Sequence, residues 1–141
     1  GAAAKKLIRA PKNQGPLNDL DAVGYASTHH CEGRIEVQLK VDRDSHQIID
    51  ARYTTTGCPA TVAALSVATE LIRGKRVKDA RGLDWCVILS VVGSVPSQAE
   101  GCIRTAVLAV REAAYDYLDW VSSHVTLPGI PYAMIEAAQS S

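Results

Sequence analysis

Residues 48–75 read IIDARYTTTGCPATVAALSVATELIRGK, and the hydrophobic period changes in the middle of the run. Up to Thr55 the run is rich in β-branched and aromatic residues, and Ile49, Ala51 and Tyr53 alternate with the polar Asp50, Arg52 and Thr54. That is the pattern of a half-buried strand with those three on one face. From Pro59 onward Val62, Leu65, Thr69 and Ile72 form the apolar stripe of a helix. Proline suits the first helical turn, and Gly74 supplies the stop. Cys58 falls at the joint, after the strand and just before the helix.

Upstream, Ile35, Val37, Leu39 and Val41 alternate with Glu36, Gln38, Lys40 and Asp42, a second strand. The polar stretch Arg43 to His46 turns it into the strand Ile48–Thr55, so the two form a hairpin. Val23–Ser27 supplies a third strand. The rest of residues 1–30 is punctuated by Pro11, Gly15, Pro16, Asn18 and Gly24, apart from a short leading helix around Leu7 and Ile8 that packs on the body. Downstream, Val77–Ala80 and Trp85–Val92 read as two shorter helices, the second well buried. Ser97 and Glu100 have capping-box spacing. The helix after them runs to about Ser123 with Ile103, Val107, Val110, Ala114, Tyr117 and Val121 inward. Strands first and helices after give an α+β fold: a small antiparallel sheet of about three strands packed against helices, with a long C-terminal helix. Residues 1–124 form one domain, and 125–141 are a C-terminal extension broken by Pro128, Gly129 and Pro131. Trp120, Leu127, Ile130 and Tyr132 make this end apolar enough to dock on the body or on another subunit.

Fifteen basic and 15 acidic residues cancel, which removes the electrostatic argument for nucleic acid or an anionic membrane as a main partner. No apolar run approaches the roughly 20 residues of a membrane span. The N-terminal residues have no apolar core of a secretory signal. Four cysteines in 141 residues are too few for a disulfide scaffold and suit reduced thiols in the cytoplasm.

Three of these cysteines lie at the edges of regular elements. Cys31 precedes the first strand of the hairpin, Cys58 precedes a helix, and Cys102 lies in the first turn of the last long helix. A helix N-terminus favours thiolate, the form that binds metal or attacks sulfur. Their spacing matches no short zinc-finger or CxxC pattern, and cysteine also serves simply as a small buried residue. Core packing is the better reading for Cys86, in the apolar run WCVIL.

The stretch from PKNQGPLNDLDAVG through VQLKVDRDSHQIIDARYTTTGCPATVAALSVATELIRGKRVKDA to EGCIRTAVLAV resembles the NifU/IscU-type iron–sulfur cluster assembly scaffolds. The resemblance covers residues 11–118 and includes the order of the three cysteines. It implies a scaffold or carrier, not an enzyme, that binds a [2Fe–2S] cluster through Cys31, Cys58 and Cys102 and passes it to apo iron–sulfur client proteins. It also implies a cysteine desulfurase as the sulfur donor, Cys102 as persulfide acceptor, and Zn2+ as an alternative occupant. The family usually has Gly-Asp after the first cysteine, His before the last and Gly after the second. Here Gly33 stands at the Asp position, Gly101 at the His position, and Pro59 follows Cys58. The chaperone-recognition run LPPVK of one subgroup is replaced by GSVPSQ.

Three thiolates need a fourth donor to complete a zinc or cluster site. Glu32 and His30 are the leading candidates, from this chain or a second protomer, with His29 and Glu100 behind them. The ordinary role for Glu100 is helix capping, and for a loop histidine it is solvation. Arg34 either stabilises an anionic site by charge or is an exposed strand residue; Lys75, Arg76 and Lys78 read as a solvated face. Two other functions fit the same residues. One is a persulfide carrier working with a desulfurase through Cys102 or Cys58. The other is a diverged structural or interaction subunit, in a homo-oligomer or larger complex, that keeps the fold without the chemistry.

Overall fold

The computed structural model describes residues 2–27, 33–93 and 95–124. Strands β1 (Ala22–Ser27), β2 (Arg34–Asp42) and β3 (Gln47–Thr55) form an antiparallel sheet in the order β1-β2-β3. The expected alternation holds on β2, where Ile35, Val37, Leu39 and Val41 are all buried. The register carries the same face across the sheet: Ala22, Leu39 and Ala51 lie in one row, and Gly24, Val37 and Tyr53 in the next.

β3 departs from strict alternation. Lys40 pairs with Asp50, but Val41 pairs with Ile48, so Ile49 is the extra residue of a β-bulge. Ile48 therefore joins Ala51 and Tyr53 on the buried face, and Ile49 is 56 % exposed. The sequence reading placed Ile49 inward. An inserted residue shifts a period of two by one and reverses the assignment.

The β3 edge is covered by chain segments, and the β1 edge is engaged at one amide. Along β3, Gly15 N–H donates to the Tyr53 carbonyl at 2.8 Å and Tyr53 N–H donates to the Asn13 carbonyl at 3.1 Å. Along β1, Val23 N–H donates to Asp116 Oδ2 at 2.9 Å. On β3, covering the unpaired edge groups suppresses strand addition from another chain.

The helices are α1 (Ala2–Arg9), α2 (Pro59–Ile72), α3 (Val77–Arg81), α4 (Trp85–Val92) and α5 (Ser97–His124). The sheet's inner face packs on α2 and α5. Helix α2 is buried almost all round, from Thr61 to Thr69 except for partly exposed Val62. Its polar residues are satisfied inside: Tyr53 Oη and Ser66 Oγ are 2.8 Å apart, and Thr69 Oγ1 donates to the Leu65 carbonyl at 2.6 Å. All six inward positions assigned to α5 are buried. Helix α1 packs on α2 through Ala4 and Leu7, as expected of a leading helix.

Helix α5 approaches β1 very closely. A Cβ on Gly24 would lie 2.2 Å from the Ala113 nitrogen and 2.3 Å from the Ala109 carbonyl oxygen. The small side chains of Ala106, Ala109 and Ala113 line this part of the core. Ordinary helix and sheet side chains would keep the two layers farther apart.

The far end of α5 is held by the β2–β3 turn. His46 Nδ1 is 2.8 Å from Tyr117 Oη, and the Arg43 guanidinium lies 4.4 Å from the centre of the Trp120 ring. Trp120 also stacks on Tyr117 and His124, so it belongs to the helix end. The remainder of the expected apolar tail, and the assigned extension 125–141, lie outside the described residues. Among the described residues no helix is long and apolar enough to cross a membrane.

Candidate functional site

The site is assembled at one end of the sheet, where β3 runs into α2. Thr55 Oγ1 donates to the Arg34 carbonyl at 2.8 Å and accepts from Gly57 N–H at 2.9 Å, fixing the turn. Thr56 N–H donates to the same carbonyl, and Arg34 N–H donates to Thr56 Oγ1 at 3.0 Å. These bonds tie the start of β2 to the turn that carries Cys58. A Cβ on Gly57 would come 3.1 Å from both Thr55 Oγ1 and Thr61 Oγ1, so glycine lets the turn close tightly.

Cys58 is the N-cap of α2, in extended conformation at φ −72° and ψ 169°, with Pro59 following. Its carbonyl accepts from Thr61 and Val62 N–H. N-caps are ordinarily Ser, Thr, Asp or Asn, whose side-chain oxygen satisfies an amide of the first turn. The Cys58 side chain makes no such capping bond. Its sulfur lies 3.5 Å from Thr61 Oγ1 and 3.3 Å from the sulfur of Cys102.

Cys102 is 1 % exposed, whereas Cys58 is half-buried. Helix α5 starts at Ser97 itself, which places Cys102 in the second turn and not the first. The N-terminal dipole therefore acts on it more weakly than the sequence suggested. The paired cysteines are 44 residues apart in sequence, and the contact exists because α2 and α5 pack side by side.

A metal test can be made on this pair. Two thiolates on one tetrahedral ion at about 2.3 Å would sit roughly 3.8 Å apart. The observed 3.3 Å is within a small side-chain rotation of that value, and the all-sulfur donor set suits zinc or iron–sulfur chemistry. Cys31, Glu32, His29 and His30 lie outside the described residues. The residues on either side of them, Ser27 and Arg34, are paired across β1 and β2, and Arg34 is bonded to the Thr55–Thr56 turn. Among the described residues no group of three or more His, Cys, Asp or Glu converges.

Cys86 does not join the pair and does not pack in the core. Helix α4 buries only Ile88 and Val92, while Cys86, Val87 and Val91 are exposed. A continuous apolar run suggested full burial, but an eight-residue surface helix can turn only one stripe inward. Asp84 caps α4 by accepting from Cys86 N–H at 3.0 Å. Local desolvation and the Asp84 carboxylate push the Cys86 thiol above its ordinary pKa, the opposite of what a nucleophile needs. Arg34 is exposed at a strand position next to inward-facing Ile35.

Sequence reasoning had no signal for the sulfur–sulfur contact other than the family order of cysteines. It also missed Thr61, a buried residue whose hydroxyl touches the Cys58 sulfur. A threonine three residues after an N-cap was the available clue.

Residues 4–123 match the family model described as NifU-like N terminal domain. The chain is 32% identical over 107 residues to the iron–sulfur cluster assembly scaffold protein IscU 1 of Archaeoglobus fulgidus, covering 76% of this chain and 69% of that one. It is 33% identical over 110 residues to iron–sulfur cluster assembly protein 1 of Arabidopsis thaliana, covering 76% of this chain and 65% of that one. Among solved structures, the N-terminal NifU-like protein of Brucella abortus superposes with a TM-score of 0.68 at 15% identity, over 84% of this chain and 94% of the other. The extent of the family match and the fold agree: this chain belongs to the NifU-like N-terminal domain family, the family of the NifU and IscU scaffolds.

Proposed function

We propose that this chain is an iron–sulfur cluster assembly scaffold or carrier that holds a [2Fe–2S] cluster as cargo and passes it to apo iron–sulfur proteins. The observation that carries this reading is the 3.3 Å approach of Cys58 and Cys102 from two separate helices, in a chain whose relatives are named as such scaffolds. Cys31 is the third proposed ligand, with Glu32 or His30 supplying a fourth donor in place of the family residues replaced by Gly33 and Gly101.

In this proposal a cysteine desulfurase supplies sulfur. The Cys102 thiolate attacks the outer sulfur of the donor's persulfide, and the donor's thiolate leaves. Because Cys102 is 1 % exposed, delivery requires the Cys58 side of the site to open. A two-electron donor, an external thiol pair or an electron-transfer protein, then cleaves the Cys102 persulfide S–S bond, which regenerates the Cys102 thiolate and releases the outer sulfur as sulfide to combine with iron bound by the thiolates. The cytoplasm, where thiols stay reduced, suits this chemistry.

Anaerobic reconstitution with ferrous iron and sulfide tests the proposal. The expected result is a sulfur-to-iron charge-transfer chromophore that disappears when an apo-ferredoxin is added and reappears on the ferredoxin. A chain that takes up neither iron nor sulfide would overturn it. Zinc uptake without sulfide, together with a stable persulfide after incubation with a desulfurase, would move the reading to sulfur carriage.

A further inference from the structure

We propose that Cys58 and Cys102 are also a thiol–disulfide exchange pair, closed to an intramolecular disulfide by low-molecular-weight disulfides and reopened by thiols. The argument rests on placement and unequal access. The sulfurs are 3.3 Å apart, and closing to the ~2.05 Å of a disulfide asks for a movement within the reach of side-chain rotation. Cys58 is half-buried at the start of α2, and Cys102 is 1 % exposed behind it. One thiol is therefore placed to meet a small oxidant, and the other to resolve the product.

The step balances in two exchanges. The Cys58 thiolate attacks one sulfur of a glutathione-type disulfide, forming a mixed disulfide and releasing one glutathione thiolate. The Cys102 sulfur then attacks the Cys58 sulfur, its proton passing to the second glutathione thiolate as that leaves. The two cysteines are oxidised by two electrons and the small disulfide is reduced to two thiols. For Cys86 no second sulfur is found beside it among the described residues; the charged groups acting on its thiol are Asp84 and Arg104.

The consequence for the site rests on the scaffold reading. A disulfide sulfur is no longer a thiolate donor, so the oxidised chain cannot accept metal through this pair until a thiol reductant reopens it.

The experiment uses the full chain, reduced anaerobically and then exposed to oxidised glutathione. Remaining thiols are alkylated in denaturant, and the products are read by mass spectrometry. The expected product has lost two hydrogens, carries no glutathione, and yields a Cys58–Cys102 linked peptide with Cys31 and Cys86 alkylated. Cys102→Ser is expected to trap glutathione on Cys58. A persistent mixed disulfide in the parent chain, a linkage to Cys31, or no reaction would overturn the proposal. Zinc titration of the same samples separates the two readings. Zinc binding by the reduced but not the oxidised chain supports both. A disulfide that forms in a chain unable to bind zinc when reduced supports the exchange chemistry and removes the metal site. Zinc binding without disulfide formation does the reverse.

Discussion

Replacing Gly24 with alanine tests whether the close contact between β1 and α5 sets the geometry of the site. The added Cβ would meet the Ala113 nitrogen at 2.2 Å, the Ala109 oxygen at 2.3 Å and the Ala113 Cα at 2.9 Å. Ordinary contacts lie near 3.5 Å, so the helix and strand must separate by roughly 1 Å. The obstructing atoms are backbone and cannot swing aside. The strand cannot retreat freely either, because Gly24 is paired with Val37 and the adjacent Val23 amide is bonded to Asp116. Overpacking of this kind costs about 3 kcal/mol or more, which for a domain of this size lowers the melting temperature by roughly 10–15 °C. Because α5 carries Cys102, any folded fraction should also bind zinc more weakly. Thermal melting by circular dichroism, followed by zinc titration below the transition, reads both effects. Gly82→Ala is the control, since its Cβ would meet nothing closer than 3.7 Å. A Gly24→Ala chain that melts within about 2 °C of the parent would refute the packing argument.

Other perturbations separate neighbouring residues by their surroundings. Ile48→Ala should cost about 2–4 kcal/mol, while Ile49→Ala, at the bulge, should stay within about 0.5 kcal/mol; urea unfolding decides it, and equal losses would contradict the bulge. Burial pushes the Asp21 carboxyl up, but the Val41 amide, the Arg43 guanidinium and the Lys40 ammonium together hold it below its ordinary value. A depressed folded-state pKa stabilises above the unfolded value of about 3.9 and the benefit fades as pH falls through the folded value. Asp21→Asn should therefore cost about 1–2 kcal/mol at neutral pH, and the gap from the parent should narrow below about pH 4; parallel urea midpoints at pH 7 and pH 3 would contradict this. Cys86→Ser should leave zinc affinity unchanged, whereas Cys58→Ser should lower it at least about tenfold, as followed by competition with a chromophoric chelator.

Much of the architecture was legible because each element carries its own period. The alternation from Ile35 to Val41 and the Cys58–Pro59 helix start are local patterns, and the long helix from Ser97 declares its inward face over many turns. Ile49 was misplaced because a bulge is a two-strand event: only the register opposite Lys40 and Val41 reveals it. Cys86 was misplaced because composition does not say how many sides of a short helix find neighbours. At Gly24, an ordinary strand glycine in the sequence proves to be where α5 touches the sheet backbone. The cysteines were legible as a set through the family order, but the Cys58–Cys102 contact depends on the packing of helices far apart in sequence. Only the folded chain supplies the distance and the difference in exposure on which the roles proposed for the two thiols rest.

The central claim is that the cysteines hold a cluster. The most direct test is to purify the chain anaerobically and quantify iron, zinc and acid-labile sulfide beside a visible spectrum. The parent should be measured with the Cys31→Ser, Cys58→Ser and Cys102→Ser variants and the triple variant. The account predicts iron and sulfide in equal amounts in the parent, with the chromophore reduced in each single variant and absent from the triple variant. A full chromophore in the triple variant, or a parent with reduced thiols and neither iron nor sulfide, would contradict it.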